Sequence, residues 1–456
     1  MRAEHALHEH HGHHQHQHPT PVRQPAEVVI ELEARAADWE IAPGQTLPCW
    51  TYNGQVPGPT IEARAGDTLV VRLKNSLNEP TTIHFHGLRV PAPMDGTQVV
   101  QVPVAPGESF EYRFTVPDAG TFWYHSHHNE TVQVERGLYG AIVVRGADEP
   151  VVDRERVLVL DDMKLNRKGE IAKFGGWIEA HTGREGDLRL VNGKREPQLG
   201  VAAGQIERWR VVNASNARYV RLSLGGRNFS ILATGGGLIE SPVRAAETLL
   251  PPGDRIDIAV GPFSEGEVLS LESLFYNRHA GKRKAERFAT IRVGLAQRSK
   301  AVIPERMRTI EPLASRDQAP NRFVKMSERL SIKRGTDFMI NDEMHHTDKP
   351  VTVGELQVWD IENASHMDHP FHLHGFFFQV LSVNGAAPAF RSWEDTVNVP
   401  PRGRVRIAWM PDDRPGYWMY HCHILEHHAG GMMANFAVVR AGDAMADNAA
   451  MPSCHT

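Results

Sequence analysis

The chain of 456 residues carries 26 histidines but only 3 cysteines, and its length alone suggests about three domains of roughly 150 residues each. With 50 basic against 55 acidic residues and a formal charge of −5, it has no cationic excess to neutralise phosphates, so no nucleic-acid partner is expected. Its cysteines allow at most one internal bridge, and no run approaches the roughly 20 apolar residues of a bilayer span. Disulfide-scaffold and membrane-spanning classes are excluded.

In chain order, residues 1–25 come first as a His-rich tail, with eight histidines between His5 and His18. It holds too little apolar surface to fold and is expected to be disordered, with loose metal binding or a cloning tag as its two readings. It lacks the apolar core of a secretory signal. The expectation is an exported protein, periplasmic or extracellular, whose signal is absent from this chain, with a cytoplasmic location as the alternative.

After Pro25 the texture becomes all-β. Strands are predicted over Val28–Ala34, Thr68–Leu73, Ser109–Val116, Ala141–Val144 and Arg156–Leu160, separated by Gly, Pro, Asn and Asp; that spacing indicates sandwiches or barrels. A phrase also repeats: a glycine turn, a strand and a closing asparagine recur at Asn75, Asn213 and Asn363, which implies three copies of one β-domain. The boundaries fall at 26–148, 149–297 and 326–441, with a connector at 298–325 and a C-terminal tail at 442–456.

Beyond the tail, four H-x-H pairs stand out: His84/His86, His125/His127, His372/His374 and His421/His423. On a strand, residues i and i+2 share a face roughly 7 Å apart, so each pair can offer two imidazoles to one cavity. Two pairs lie in the first domain and two in the last, which points to a multinuclear metal site between them. The last pair encloses Cys422 and is followed by His427 and Met432. A thiolate, two imidazoles and a weak thioether describe a blue-copper site, with His369 as the natural second imidazole. Zinc also accepts Cys and His, but its structural sites ask for more thiolates.

With these residues in view, the sequence resembles the three-domain multicopper oxidases of the laccase-like group. The motifs are His84-Phe85-His86-Gly87, His125-Ser126-His127, His369-Pro370-Phe371-His372-Leu373-His374-Gly375 and His421-Cys422-His423-Ile424-Leu425-Glu426-His427, with Asn213-Ala214-Ser215-Asn216-Ala217-Arg218 in the middle. The resemblance implies three cupredoxin-like Greek-key domains and four coppers. It assigns His369, Cys422 and His427 to a type 1 copper, with Met432 axial in preference to Met433. His84 and His372 fall to a type 2 copper, and His86, His125, His127, His374, His421 and His423 to a type 3 pair. Electrons would pass from Cys422 to its flanking histidines and reduce dioxygen to water.

The resemblance also implies proton delivery by Asp95. Many bacterial members carry a glutamate where this chain has His428; a histidine can relay protons but places no carboxylate beside the cluster itself. Glu426 is read as structural. Cys49 and Cys454 are either free thiols or a clasp between the first domain and the C-terminal tail.

The donors implied are small aromatics, phenols and aromatic amines, with Ser365, His366, Met367 and Asp368 as candidate contacts; packing or capping of the loop is the other reading of Met367 and Asp368. The alternative donor is a metal ion, Cu(I), Mn(II) or Fe(II). The 14 methionines are scattered rather than gathered in a Cu(I)-selecting insert, which favours the aromatic donors. Asp342, Glu343, His345 and His346 form either a hard-metal site or a solvated loop. A copper-sequestering protein is the non-enzyme alternative, and a monomer is expected.

Overall fold

The computed structural model describes residues 23–278, 285–331 and 335–442. The His-rich tail through His18, Cys454 and the C-terminal tail after Gly442 lie outside the described residues. Among the described residues the regular structure is nearly all β, arranged as six sheets.

The first predicted strand extends further than its apolar pattern, over Glu27–Ala42. It changes partner midway. Up to Ala34 it runs parallel to Thr68–Asn75, and from Ala34 onward it pairs antiparallel with Gln45–Tyr52. The second half therefore alternates polar residues outward without a continuous apolar run.

The repeated phrase has a repeated topology. In each unit the entering strand lies parallel to the phrase strand: Glu27–Ala42 beside Thr68–Asn75, Arg154–Met163 beside Glu207–Asn213, and Arg322–Ser331 beside Gln357–Asn363. A third strand then pairs antiparallel on the far side of each. A parallel neighbour reached across the sandwich is the mark of a Greek key rather than a meander.

The closing asparagines do the same work three times. Asn75 Nδ2 donates to the carbonyls of Glu79 and Val104, and its Oδ1 accepts from Leu77 N. Asn213 bonds Arg218, Leu250 and Ser215 in the same way. Asn363 bonds Met367, Val399 and Ser365. One buried amide thus satisfies three backbone groups where the chain leaves the sheet, which a buried loop requires.

Each unit has its own core, centred on Leu69, Val71 and Phe85 in the first, Trp209, Val211 and Phe288 in the second, and Trp359, Trp409 and Phe436 in the third. A further cluster of Leu47, Cys49, Trp123, Leu190 and Val212 joins the first two units; Cys49 is a buried thiol within it. Three short helices occupy the joints: α1 (Glu130–Gln133), α2 (Trp177–Thr182) and α3 (Leu425–Ala429). Among the described residues no helix is long and apolar enough to cross a membrane.

Candidate metal centres

The eight histidines of the four H-x-H pairs converge between the first and third units. His84–His86 pairs antiparallel with Gly120–His125, setting His84 opposite His125. In the third unit His369–Leu373 pairs with Gly416–Cys422, setting His372 opposite His421. The two groups interlock: the rings of His86 and His372 stack at 3.8 Å, and those of His84 and His374 lie 4.0 Å apart. All eight side chains are buried.

Six of the eight rings spend one nitrogen on the protein. The Nδ1 of His84 donates to Asp95 O at 2.8 Å, that of His125 to Ser126 O at 2.9 Å, that of His372 to Asp395 O at 2.9 Å and that of His421 to Cys422 O at 2.8 Å. His374 Nδ1 donates to Asp95 Oδ2 at 2.9 Å. The opposite nitrogens, Nε2 of His84, His125, His127 and His372, are buried with no hydrogen-bond partner, as are both ring nitrogens of His423. His374 and His421 face each other Nε2 to Nε2 at 2.9 Å. His86 is reversed, with Nε2 held by Asp395 and Nδ1 unpartnered.

Burial, together with the neighbouring imidazoles, pushes His125, His127, His374, His421 and His423 well below the ordinary histidine range. Neutral rings whose lone pairs point at one another in a dry site are costly. The donor set fits metal ions that accept imidazole nitrogen, copper among them. Triads His84–His372–His374, His84–His86–His125 and His127–His374–His421 each bring their ligand atoms within 4.8 Å of one another.

A second site lies inside the third unit. His369 Nδ1 and His427 Nδ1 are 3.1 Å apart, at 3.5 and 3.7 Å from Cys422 Sγ. Their outer nitrogens are tied. His427 Nε2 donates to the His181 carbonyl at 3.0 Å. His369 Nε2 donates to Ser365 Oγ at 2.8 Å, whose hydroxyl is committed to Met367 O. Burial pushes the Cys422 thiol up and brings His369 down to about 3; a bound cation would displace the thiol proton. Met432 is fully buried in the same core, and its carbonyl accepts from Cys422 N at 3.1 Å. Phe338 stacks on His427 at 4.0 Å.

Of the four residues expected to touch a donor, Ser365, Met367 and Asp368 are buried. Ser365 orients His369, and Asp368 accepts from Tyr276 Oη and Asn398 Nδ2 at 2.8 and 2.7 Å. Only the exposed His366, ion-paired with Glu328, faces outward. In the loop 342–346, His346 Nδ1 is taken up by Glu343 at 2.8 Å and Asp342 by Lys325 at 2.8 Å.

Asp95 is buried between His84 and His374. His428 stacks on His421 at 4.2 Å and contacts Glu130 of α1. Glu130 Oε2 lies 4.0 Å from His127 Nε2 and is otherwise unpartnered. The expectation that histidine at 428 leaves no carboxylate beside the cluster is therefore corrected: one arrives from the first unit, 298 residues away in sequence. Sequence reasoning also missed Asp395 and Arg255. Their signal was an acid in Glu394-Asp395-Thr396-Val397 and an arginine in Pro251-Pro252-Gly253-Asp254-Arg255, each opening an apolar strand.

Three cupredoxin-like sandwiches, with histidines of the outer two meeting across their joint, form the architecture of the multicopper oxidases. Domain models of that family match residues 33–149, 158–265 and 317–442. The chain is 30% identical over 435 residues to the multicopper oxidase MmcO of Mycobacterium tuberculosis, covering 85% of this chain and 83% of that protein. A solved multicopper oxidase from Campylobacter jejuni, described as a metallo-oxidase, superposes with a TM-score of 0.80 at 33% identity, covering 91% and 92% of the two chains. The cell division protein FtsP of Xenorhabdus nematophila is 28% identical, covering 90% and 89%. The chain belongs to the multicopper oxidase family, whose cofactor is copper and whose electron acceptor is oxygen.

Proposed function

We propose that this protein is a laccase-like oxidase that couples one-electron oxidation of phenols and aromatic amines to four-electron reduction of dioxygen. One observation carries the reading: a cluster of buried imidazoles with unspent nitrogens is joined through the single residue Cys422 to the second buried group His369–Cys422–His427. The similarity to FtsP means that family membership alone would not establish an oxidase, so the reading rests on these residues. An exported monomer, with dioxygen and a small donor as its partners, belongs to the same reading.

His369, Cys422 and His427, with Met432, would hold a type 1 copper. His84 and His372 would hold a type 2 copper, and His86, His125, His127, His374, His421 and His423 a type 3 pair, four coppers in all. Bound copper supplies the one-electron redox chemistry by which single-electron donors together reduce dioxygen to two waters. Cys422 is bonded through its backbone to His421 on one side and His423 on the other, giving the two sites a short covalent connection. Asp95 fixes the tautomers of His84 and His374 through its carbonyl and carboxylate. His428 and Glu130 hold a proton at their shared contact, beside His127 and His421.

A second reading is a metallo-oxidase acting on Cu(I) or Mn(II). It is favoured by the His181 carbonyl, which takes the outer nitrogen of His427 and lays α2 over the edge of that ring. The test is copper reconstitution followed by oxygen uptake with a phenol, an aromatic amine, Cu(I) and Mn(II). A blue band, four coppers per chain and turnover of the organic donors support the laccase reading; turnover of metal ions alone replaces it. Excising α2 separates the readings further: a shield against bulky donors, once removed, raises phenol turnover relative to Cu(I) turnover.

A further inference from the structure

The middle unit contributes no H-x-H pair, yet one of its turns reaches the eight-histidine cluster. A Cβ at Gly253 would come within 2.7 Å of the His423 ring, and the Gly253 carbonyl accepts from Trp123 Nε1 at 3.1 Å. Two residues on, at the head of the strand Arg255–Val260, the fully buried Arg255 crosses to the third unit. Its Nη1 and Nη2 grip both oxygens of Asp395 at 2.7 and 2.5 Å. Its remaining donors are fixed by the carbonyls of Gly235 and Thr121.

Asp395 in turn holds one ring from each outer unit. Its Oδ1 accepts from His86 Nε2 at 3.0 Å, and its carbonyl accepts from His372 Nδ1 at 2.9 Å. Thr396 Oγ1 donates to the same Oδ1 at 2.8 Å. This explains the reversal of His86. His84, His125, His372, His374 and His421 donate from Nδ1; His86 alone of this group donates from Nε2 and so presents Nδ1 inward. The glycine that follows is required by the same contact: at Gly87, with φ +85°, a Cβ would lie 2.3 Å from Arg255 Nη2 and 2.6 Å from Asp395 Oδ2.

We propose that Arg255, supplied by the unit that holds no metal ligand, is a positioning residue that pins Asp395 and thereby sets which nitrogen of His86 faces the cluster. A carboxylate on a single bond can rotate; a guanidinium fork bonded to both of its oxygens removes that freedom. Lysine keeps the charge but reaches one oxygen at a time, so Arg255→Lys restores part of the effect.

The proposal rests on the copper reading above, so the test pairs a copper-dependent readout with a copper-free one. Arg255→Gln, Arg255→Lys and Arg208→Gln are compared; Arg208 is another buried interface arginine, on Asp257 and Glu149 rather than on Asp395. In the reconstituted protein, Arg255→Gln is expected to lose about 10- to 100-fold in copper affinity at the cluster. Its type 2 paramagnetic signal and coupled-pair absorption change, while the blue band at Cys422 stays. Arg255→Lys falls between, and Arg208→Gln matches wild type in all three signals. In the metal-free protein, heteronuclear NMR of the His86 ring should show the Nε2–H tautomer in wild type and a mixture in Arg255→Gln.

An unchanged tautomer together with unchanged cluster spectra overturns the proposal. So does an equal spectral loss in Arg208→Gln, which would assign the effect to general loosening of the interface. A wild-type protein that takes up no copper counts against the oxidase reading, while the tautomer measurement still decides the role of Arg255. If Arg255→Gln does not fold, Arg255→Lys and Asp395→Asn decide it by the same spectra.

Discussion

The two candidate metal centres are built in opposite ways. The Cys422 site is local: its three close side chains come from one strand pair and one short helix of a single sandwich, and the His181 carbonyl comes from elsewhere. The eight-histidine cluster exists only where two sandwiches meet, with a third supplying Arg255 behind it. A local site depends on the fold of one domain. A shared site depends on docking as well, and here a buried charge pair spans the joint: Arg255 of the middle unit on Asp395 of the third. Such pairs add little net stability, but breaking one leaves an unpaired buried charge at a cost of about 3–5 kcal/mol. The cluster is thus the more vulnerable centre, and its integrity reports on the interface.

The sharpest way to break this comparison is Cys422→Ser. It should abolish the blue band and donor-driven oxygen uptake while leaving the cluster able to bind copper, measured by metal content and type 2 resonance. Loss of both centres together would show that they are not separable.

Glu130→Gln acts from the first unit on the shared site alone. It should slow dioxygen consumption by about 100-fold, the lower end for a lost proton donor or acceptor, with reduction of the blue band by donor unchanged in stopped flow. Equal slowing of both steps would place Glu130 outside proton transfer.

Asp95→Ala removes the acceptor of His374 Nδ1 and should cost about tenfold in cluster copper affinity, again without touching the blue band. A fading blue band would mean that disturbance at the cluster spreads into the local site.

The smallest effect is on the metal-free protein. Burial and neighbouring rings hold its imidazoles neutral, bringing His369 to about 3 and the cluster rings well below the ordinary range. A histidine lowered on folding contributes stability that is present above its unfolded value of about 6.5 and is lost as pH falls toward the folded value. Tm of the metal-free protein should therefore drop by several degrees between about pH 6.5 and pH 3. The double variant His125→Gln/His421→Gln should show a flatter slope, because two of the cluster's rings no longer titrate. An unchanged slope would assign the acid loss to other groups.

Much of this arrangement was legible in the sequence. The H-x-H pairs stood out because a strand puts alternate residues on one face, and the asparagines Asn75, Asn213 and Asn363 marked the repeat because each closes its loop through the same bonds. Of the two readings of Met367 and Asp368, donor contact or packing of the loop, burial favours packing, and Ser365 also turns inward, because chain proximity to His369 says nothing of exposure. Glu130 was invisible for the opposite reason, since nothing near it in sequence suggests a partner at His428.

The sequence by itself thus determined the β-class, the threefold repeat, the grouping of histidines and the Cys422 link, because periodicity and covalent adjacency are local properties. Tertiary structure decided which nitrogens of His86 and His374 are spent on carboxylates of the other unit, that α2 covers His427, and that Glu130, Asp395 and Arg255 stand behind the histidines. Those choices depend on contacts between domains, where one hydrogen bond joins residues more than a hundred positions apart. No local pattern in the chain encodes such a pairing; only the docked surfaces bring it about.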